Sequence, residues 1–108
     1  MILEGRFMRT ILFFDLPSVT KKDHREYNKF VKLIKRNGFA MLQESVYTKL
    51  SINENVVDTT LKELKEALPP DGSISCLTVT EKQFAAIEVL LGDLVTDVVM
   101  SEDKVVVL

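Results

Sequence analysis

The chain has 108 residues, of which 46% are hydrophobic, and a formal net charge of −2. That length fits one domain, and that composition is ordinary for a globular protein with a hydrophobic core. The single cysteine excludes a disulfide framework and a cysteine-based zinc cluster. No apolar run approaches the roughly 18 residues of a membrane span. We therefore expect one cytoplasmic domain over residues 1–108, without a signal peptide and without a membrane partner.

The charge is divided unevenly between the two halves of the chain. Residues 1–50 contain ten Lys or Arg and five Asp or Glu, for a net charge of +5. Residues 51–108 contain four basic and eleven acidic residues, for a net charge of −7. Such a division indicates a polyanionic partner for the basic half. The alternative is that the two halves neutralise each other in the fold.

The first predicted strand covers residues 8–16 and carries a lone carboxylate, Asp15, near its end. Pro17 closes the strand, because proline cannot donate a hydrogen bond to the ladder. A carboxylate at the end of a buried strand is costly unless it is hydrogen-bonded, paired or bound to a metal. Asp15 is therefore either a metal-binding catalytic residue or a residue whose side chain caps the following turn.

A basic amphipathic helix is predicted next, with Thr20 as its N-cap and Gly38 just after its end. Its apolar residues share one face at helical spacing. Five basic residues at intervals of 3 and 4 fall within roughly 80° on the opposite face. They are Lys22, Arg25, Lys29, Lys32 and Arg36. This pattern predicts nucleic-acid binding, with Lys21 and Lys22 as the contacts nearest Asp15, although a solvated charged face gives the same pattern. The only histidine, His24, is expected at the surface.

The remaining segments predict two strands within residues 39–50, which bend near Ser45 because the run is long for one strand. A helix follows over residues 54–68, with Asn53 as its N-cap and an apolar stripe that includes Leu68, and then a strand over residues 73–79. A capping box that begins at Thr80 starts a third helix, predicted to continue to residue 92 with Phe84, Ile87, Leu90 and Leu91 as its apolar residues. Two more strands are predicted over residues 95–100 and 105–108. Cys76 is expected to be a buried small hydrophobic residue.

The order β-α-β-β-α-β with a C-terminal α-β extension is the ferredoxin-like pattern of the α+β class, an antiparallel sheet with helices on one face. We place the core at about residues 8–80 and a dimerisation extension at about residues 81–108. The last predicted strand is wholly apolar and would be an aggregation hazard at an exposed edge. We expect it to be added to the sheet of a partner protomer.

Several segments resemble one known family. An apolar strand ends in Phe14-Asp15-Leu16-Pro17, the first helix ends in Asn37-Gly38, and the next strands contain Gln43-Glu44-Ser45-Val46-Tyr47. In this order they resemble the CRISPR-associated protein two family. Residues 77–84, which read LTVTEKQF, resemble the variant found beside type II systems. The resemblance covers residues 8–108.

The resemblance implies a homodimer that takes part in CRISPR spacer acquisition and bridges dimers of the CRISPR integrase while it holds duplex DNA. It also implies metal-dependent nuclease activity on RNA or duplex DNA, with Asp15 as the catalytic and metal-binding residue. Asp15 of each protomer would share Mg²⁺ or another divalent cation at the dimer axis, and Pro17, Ser45 and Tyr47 would support the site. Two other hypotheses remain: a stand-alone Mg²⁺-dependent endoribonuclease or DNase, and a ferredoxin-like regulatory domain that binds a small ligand or a partner chain.

Overall fold

A four-stranded antiparallel sheet forms the centre of the fold. A computed structural model of the chain describes residues 7–94. Its strands are β1 (Met8–Asp15), β2 (Ala40–Gln43), β3 (Val46–Ser51) and β4 (Ser73–Thr80), in the order β2-β3-β1-β4. All neighbouring pairs are antiparallel. The β-α-β-β-α-β succession and this sheet are consistent with the predicted ferredoxin-like fold. The strands predicted over residues 95–100 and 105–108 lie outside the described residues.

Two helices, α1 (Lys21–Arg36) and α2 (Glu54–Lys65), cover one face of the sheet. Side chains alternate between the two faces of a strand, so Leu12 and Phe14 of β1 point toward the helices and are buried. The core cluster consists of Leu12, Phe14, Phe30, Ile34, Phe39, Tyr47 and Leu64. Burial of this cluster is what holds the helices to the sheet.

The predicted helix caps and the predicted bend between the second and third strands are confirmed. Thr20 and Asp23 form a reciprocal capping box at the start of α1, and Gly38 follows the helix with a φ of +94°. Asn53 caps α2 through a hydrogen bond from the backbone N–H of Val56. Between β2 and β3, Ser45 has a φ of +61°, so the chain bends where the long run of strand-forming residues was predicted to divide.

Two sequence predictions about the second half were wrong. The helix predicted to reach residue 68 ends at Lys65, and Leu68 is exposed. Leu68 precedes Pro69, and the proline ring disfavours helical backbone at the residue before it. Cys76 is exposed rather than buried, because its strand, β4, lies at the edge of the sheet within the described residues.

The third helix, α3 (Glu81–Phe84), has only four residues, whereas the sequence predicted a helix to residue 92. Its capping box is present as predicted. Leu90 and Leu91, which were expected on its apolar face, are 90% and 95% exposed. Short helices depend on packing of an apolar face for their stability, and this stretch does not receive that packing within the described part of the chain.

Helix α3 begins at the start of β1, on the face of the sheet that α1 and α2 leave uncovered. The Arg9 guanidinium pairs with the Glu81 carboxylate there and lies 4.5 Å from the centroid of the Phe84 ring.

Among residues 7–94 there is no helix with the length and apolar character needed to cross a membrane.

Candidate functional site

The end of β1 is held firmly from within the core. Phe14 places its ring 5.2 Å from that of Phe30 and 5.6 Å from that of Tyr47, measured between centroids. Its backbone N–H donates to the Ser45 carbonyl at 3.1 Å. Ser45 therefore contacts the end of β1 through its backbone carbonyl, and Tyr47 packs against Phe14 in the core. The next residue along the strand is Asp15, so its backbone position is fixed by these contacts.

The Asp15 side chain is exposed and lies on the face opposite Phe14. Within residues 7–94 its carboxylate has no hydrogen bond and no ion pair. The capping alternative is wrong for Asp15, because the following turn is capped by Asp23. One Asp23 carboxylate oxygen accepts from the backbone N–H groups of Val19 at 3.1 Å and Thr20 at 3.0 Å.

The loop between β1 and α1 is well ordered by local hydrogen bonds. The pKa of Asp23 lies below its ordinary value, mainly because its carboxylate accepts a hydrogen bond from the backbone N–H of Thr20. Hydrogen bonds with the Val19 backbone and the Thr20 side chain lower this pKa further. The exposed ring of His24 places Nε2 at 2.9 Å from the Ser18 carbonyl. His24 is thus at the surface as predicted, and its ring contacts the loop rather than the Asp15 carboxylate. Pro17 is exposed in the same loop.

A close backbone contact from the turn before β4 was missed by the sequence reasoning. Gly72 has a φ of +103°, and a Cβ added to it would lie 2.9 Å from the Asp15 carbonyl oxygen and 2.7 Å from Cδ2 of Leu16. Only glycine fits this backbone conformation and this approach. The signal for it in the sequence is a glycine that ends a proline-rich turn directly before a strand. Gly72 therefore packs the β4 turn against the end of β1.

The sheet face away from α1 and α2 carries a partly exposed apolar surface, here called the open face. It includes Ile11 and Phe13 of β1 and Leu77 of β4, with Asp15 at its border. Phe13 is 43% exposed and Leu77 is 53% exposed. The Asp15 carboxylate and this apolar surface therefore point to the same side of the molecule.

The donor set suits a divalent cation only in part. An exposed carboxylate with unpartnered oxygens is a ligand that Mg²⁺ prefers, and Mg²⁺ commonly takes one or two carboxylates with several waters. Within residues 7–94, no group of three or more His, Cys, Asp or Glu side chains converges on one point. Asp15 fits as one such ligand, and a second carboxylate of the same kind would have to come from Asp15 of a second copy of the chain.

The basic face of α1 is exposed along its whole length. It consists of Lys21, Lys22, Arg25, Lys29, Lys32 and Arg36. None of these residues forms an ion pair with another described residue, so their charges are available to a ligand. Lys22 lines a small cleft with Leu16 and Pro17, at the end of the sheet where Asp15 lies.

A second polar region lies at the opposite end of the sheet. The Lys49 amine donates to the Thr60 hydroxyl at 2.7 Å, and its stem lies against Gly38. Burial lowers the pKa of Lys49, while the nearby Glu63 carboxylate opposes that shift. This lysine joins β3 to α2 and is remote from Asp15.

Comparison with known proteins identifies the family. The family model described as CRISPR associated protein Cas2 matches residues 8–87. The chain belongs to the Cas2 family. It is 41% identical over 101 residues to a Treponema denticola protein named CRISPR-associated endoribonuclease Cas2, covering 94% of this chain and 100% of that protein. It is 43% identical to a Streptococcus mutans protein of the same name, covering 94% of this chain and 93% of that protein.

The fold is also that of a solved Cas2 structure. A crystal structure of Cas2 superposes with a TM-score of 0.58 at 21% sequence identity, covering 81% of this chain and 90% of that one. This match confirms the predicted α+β fold for a Cas2 family member. Within it, Asp15 ends β1 and Lys22 lines a cleft with the next two residues, Leu16 and Pro17, while Tyr47 is buried in the core.

Proposed function

We propose that this Cas2 family chain is a homodimeric protein of CRISPR spacer acquisition in the cytoplasm. It binds duplex DNA through the basic face of α1 and bridges dimers of the CRISPR integrase. It also holds a Mg²⁺-dependent phosphodiester-hydrolysing site between its two copies of Asp15. The observation that carries this proposal is an exposed carboxylate, without a protein partner in residues 7–94, at the border of the open face.

The open face supports the dimer. Exposed apolar surface of this kind marks protein interaction sites. If two open faces pack across a two-fold axis, Phe13 and Leu77 are buried and Asp15 of each protomer enters the same interface. The edge of β4, which is eight residues long and pairs with no further strand among residues 7–94, would then receive the partner's last strand, since the other edge strand, β2, has four residues and an irregular register.

The proposed mechanism assigns positioning to this chain. Asp15 of each protomer would hold the divalent cation, with water completing its coordination. When bound, such a cation polarises the scissile phosphate and lowers the pKa of a bound water. The ring contacts of Phe14 and the backbone contact of Gly72 present the carboxylate at a fixed place. Lys21 and Lys22 neutralise the phosphates that flank it.

The nuclease part is tested with the Asp15→Asn variant. Mg²⁺-dependent cleavage of RNA and duplex DNA should fall to the level measured with a chelator, because the amide replaces the only anionic group that the site takes from each protomer. The free energy of unfolding should change by no more than about 0.5 kcal/mol, since the carboxylate is exposed. Asp71→Asn, an exposed carboxylate in the turn before β4, is the matched control. Undiminished cleavage by the Asp15→Asn variant would remove Asp15 from the mechanism.

The binding part is tested by reversing three charges of the basic face, Lys22, Arg25 and Lys29, to Glu. Duplex DNA affinity should drop, and the slope of log K against log salt should become shallower by about 3, because each phosphate contact contributes about 0.9. Reversal of Lys62 and Lys65, two exposed lysines of α2, provides the control. An unchanged affinity and an unchanged slope in the triple variant would contradict DNA binding through α1.

A stand-alone endoribonuclease is the second candidate, favoured by the name of the relatives in Treponema denticola and Streptococcus mutans. Multiple-turnover cleavage of RNA that a chelator abolishes, without co-purification of the integrase, would support it. Co-purification of the integrase in the Asp15→Asn variant would support the acquisition role instead. If the protein binds neither RNA nor DNA at low salt, both candidates fail and a regulatory binding domain remains.

A further inference from the structure

We propose that Ser73 is a second polar residue of the Asp15 site. Its hydroxyl donates a hydrogen bond to a non-bridging phosphate oxygen of the nucleic acid bound there. This inference rests on the proposed phosphodiester-hydrolysing site, and it adds a substrate contact that neither the sequence patterns nor the relatives' names assign.

The register of the sheet brings Ser73 to Asp15. The two residues are the terminal pair of the antiparallel ladder between β1 and β4. Residues directly opposite in such a ladder point to the same face, with Cβ atoms roughly 4.5–5.5 Å apart. Both side chains are exposed. The hydroxyl therefore lies beside the carboxylate at the border of the open face.

The hydroxyl supplies a function that the carboxylate lacks. Ionised carboxylates and phosphate oxygens only accept hydrogen bonds, whereas a serine hydroxyl donates one. The Ser73 hydroxyl has no hydrogen bond to another residue within the range 7–94. The nearest side chains on the same face are Phe13 of β1, which is apolar and donates none, and Ser75 of β4, which lies opposite Phe13 and therefore farther from Asp15 than Ser73 does. Ser73 is thus the donor on β4 that lies closest to Asp15.

The turn before β4 fixes the distance between the two groups. Gly72 packs so closely that an added Cβ would lie 2.9 Å from the Asp15 carbonyl oxygen. Because Ser73 follows Gly72 directly, its backbone is held against the end of β1 by this contact as well as by the ladder. The pair is therefore part of a rigid element, which is what positioning of a substrate requires.

The same strand offers a matched control in Ser75. It lies on the same face as Ser73 and is also exposed, but its partner across the ladder is Phe13 rather than Asp15. A general effect of serine replacement on β4 should therefore be equal at the two positions. An effect of the hydroxyl on substrate should appear at Ser73 alone.

The experiment compares Ser73→Ala, Ser73→Thr, Ser75→Ala and Asp15→Asn by kcat and KM for cleavage of a short RNA in Mg²⁺. Loss of one hydrogen bond to a charged phosphate should lower kcat/KM of Ser73→Ala about tenfold. Ser73→Thr keeps the hydroxyl and should retain most activity, and Ser75→Ala should match the unchanged protein. Affinity for an RNA tetranucleotide, measured with Ca²⁺ in place of Mg²⁺, gives a second readout that needs no turnover. It should weaken in Ser73→Ala alone among the serine variants.

The outcomes separate the inference from the proposed function. If Asp15→Asn abolishes cleavage while Ser73→Ala and Ser75→Ala both match the unchanged protein in kinetics and in tetranucleotide affinity, the role of Ser73 is refuted and the Asp15 site stands. Equal losses in the two alanine variants, or no rescue by Ser73→Thr, refute the substrate contact. If Asp15→Asn cleaves normally, the proposed site and this inference fall together.

Discussion

The ion pair between Arg9 and Glu81 gives the sharpest stability prediction. Both side chains are 2% exposed. The Arg9 Nε donates to Glu81 Oε1 at 2.9 Å, and Nη2 donates to Oε2. The guanidinium also lies over the Phe84 ring. These contacts join α3 to β1, although Arg9 and Glu81 are 72 positions apart in the sequence.

Removing one partner leaves a buried charge without its counterion. Glu81→Leu should therefore reduce the free energy of unfolding by about 3–5 kcal/mol. Arg9→Met should cost at least as much, since it also removes the contact with Phe84, worth about 2 kcal/mol when desolvated. The double variant Arg9→Met with Glu81→Leu should recover most of this loss, because a buried pair replaced by apolar residues is often neutral. For a domain stabilised by about 5–15 kcal/mol, each single loss is large.

Urea unfolding monitored by circular dichroism measures these differences, at one fixed protomer concentration because dimerisation would shift the midpoint. Lys82 is an exposed neighbour in α3, so Lys82→Met should change the free energy of unfolding by no more than about 0.5 kcal/mol. A coupling energy below about 0.5 kcal/mol in the double-mutant cycle would refute the reasoning, because the two side chains would then act independently.

Two further predictions follow from the loops around Asp15. Gly72→Ala should lower stability by about 1–3 kcal/mol through backbone strain alone and displace Asp15 as well, so nuclease activity should also fall. Gly92 has a similarly positive φ of +83°, but no atom of residues 7–94 lies within 4 Å of a Cβ added to it. Equal activity losses in Gly92→Ala and Gly72→Ala would therefore contradict a role for the close contact. The pKa of Asp23 is lowered in the folded state, so its stabilising contribution is present above the unfolded pKa of about 3.9 and is lost as the pH falls through the folded value. The low-pH stability curve of Asp23→Asn should therefore be flatter than that of the unchanged protein, and identical curves would contradict the capping role.

Local spacing in the sequence was enough to predict most of the architecture. A short apolar run closed by Pro17 predicts β1. Helical spacing predicts α1 and its basic face, because an α-helix repeats every 3.6 residues. Caps at Thr20 and Asn53 and the bend at Ser45 were predicted because they depend on residues only a few positions apart. The resemblance to the family followed from the order of such segments, and the comparisons confirm it.

The length of α3 and the surroundings of Asp15 were decided only by the tertiary structure. A sequence shows that Leu90 and Leu91 have helical spacing but not whether any surface covers them, and the described residues leave both exposed. Likewise, no local pattern pairs Asp15 with Ser73, because register depends on which strands meet and how far they slide.

The sequence by itself determined the order of the elements, the exposed basic helix and the candidate role of Asp15. The fold decided that this carboxylate lacks a partner within residues 7–94, that Gly72 packs against its backbone, and that a serine 58 positions away stands beside it. Short-range periodicity determines secondary structure, whereas the contacts that form a site join residues distant in sequence and are set by burial of the core as a whole.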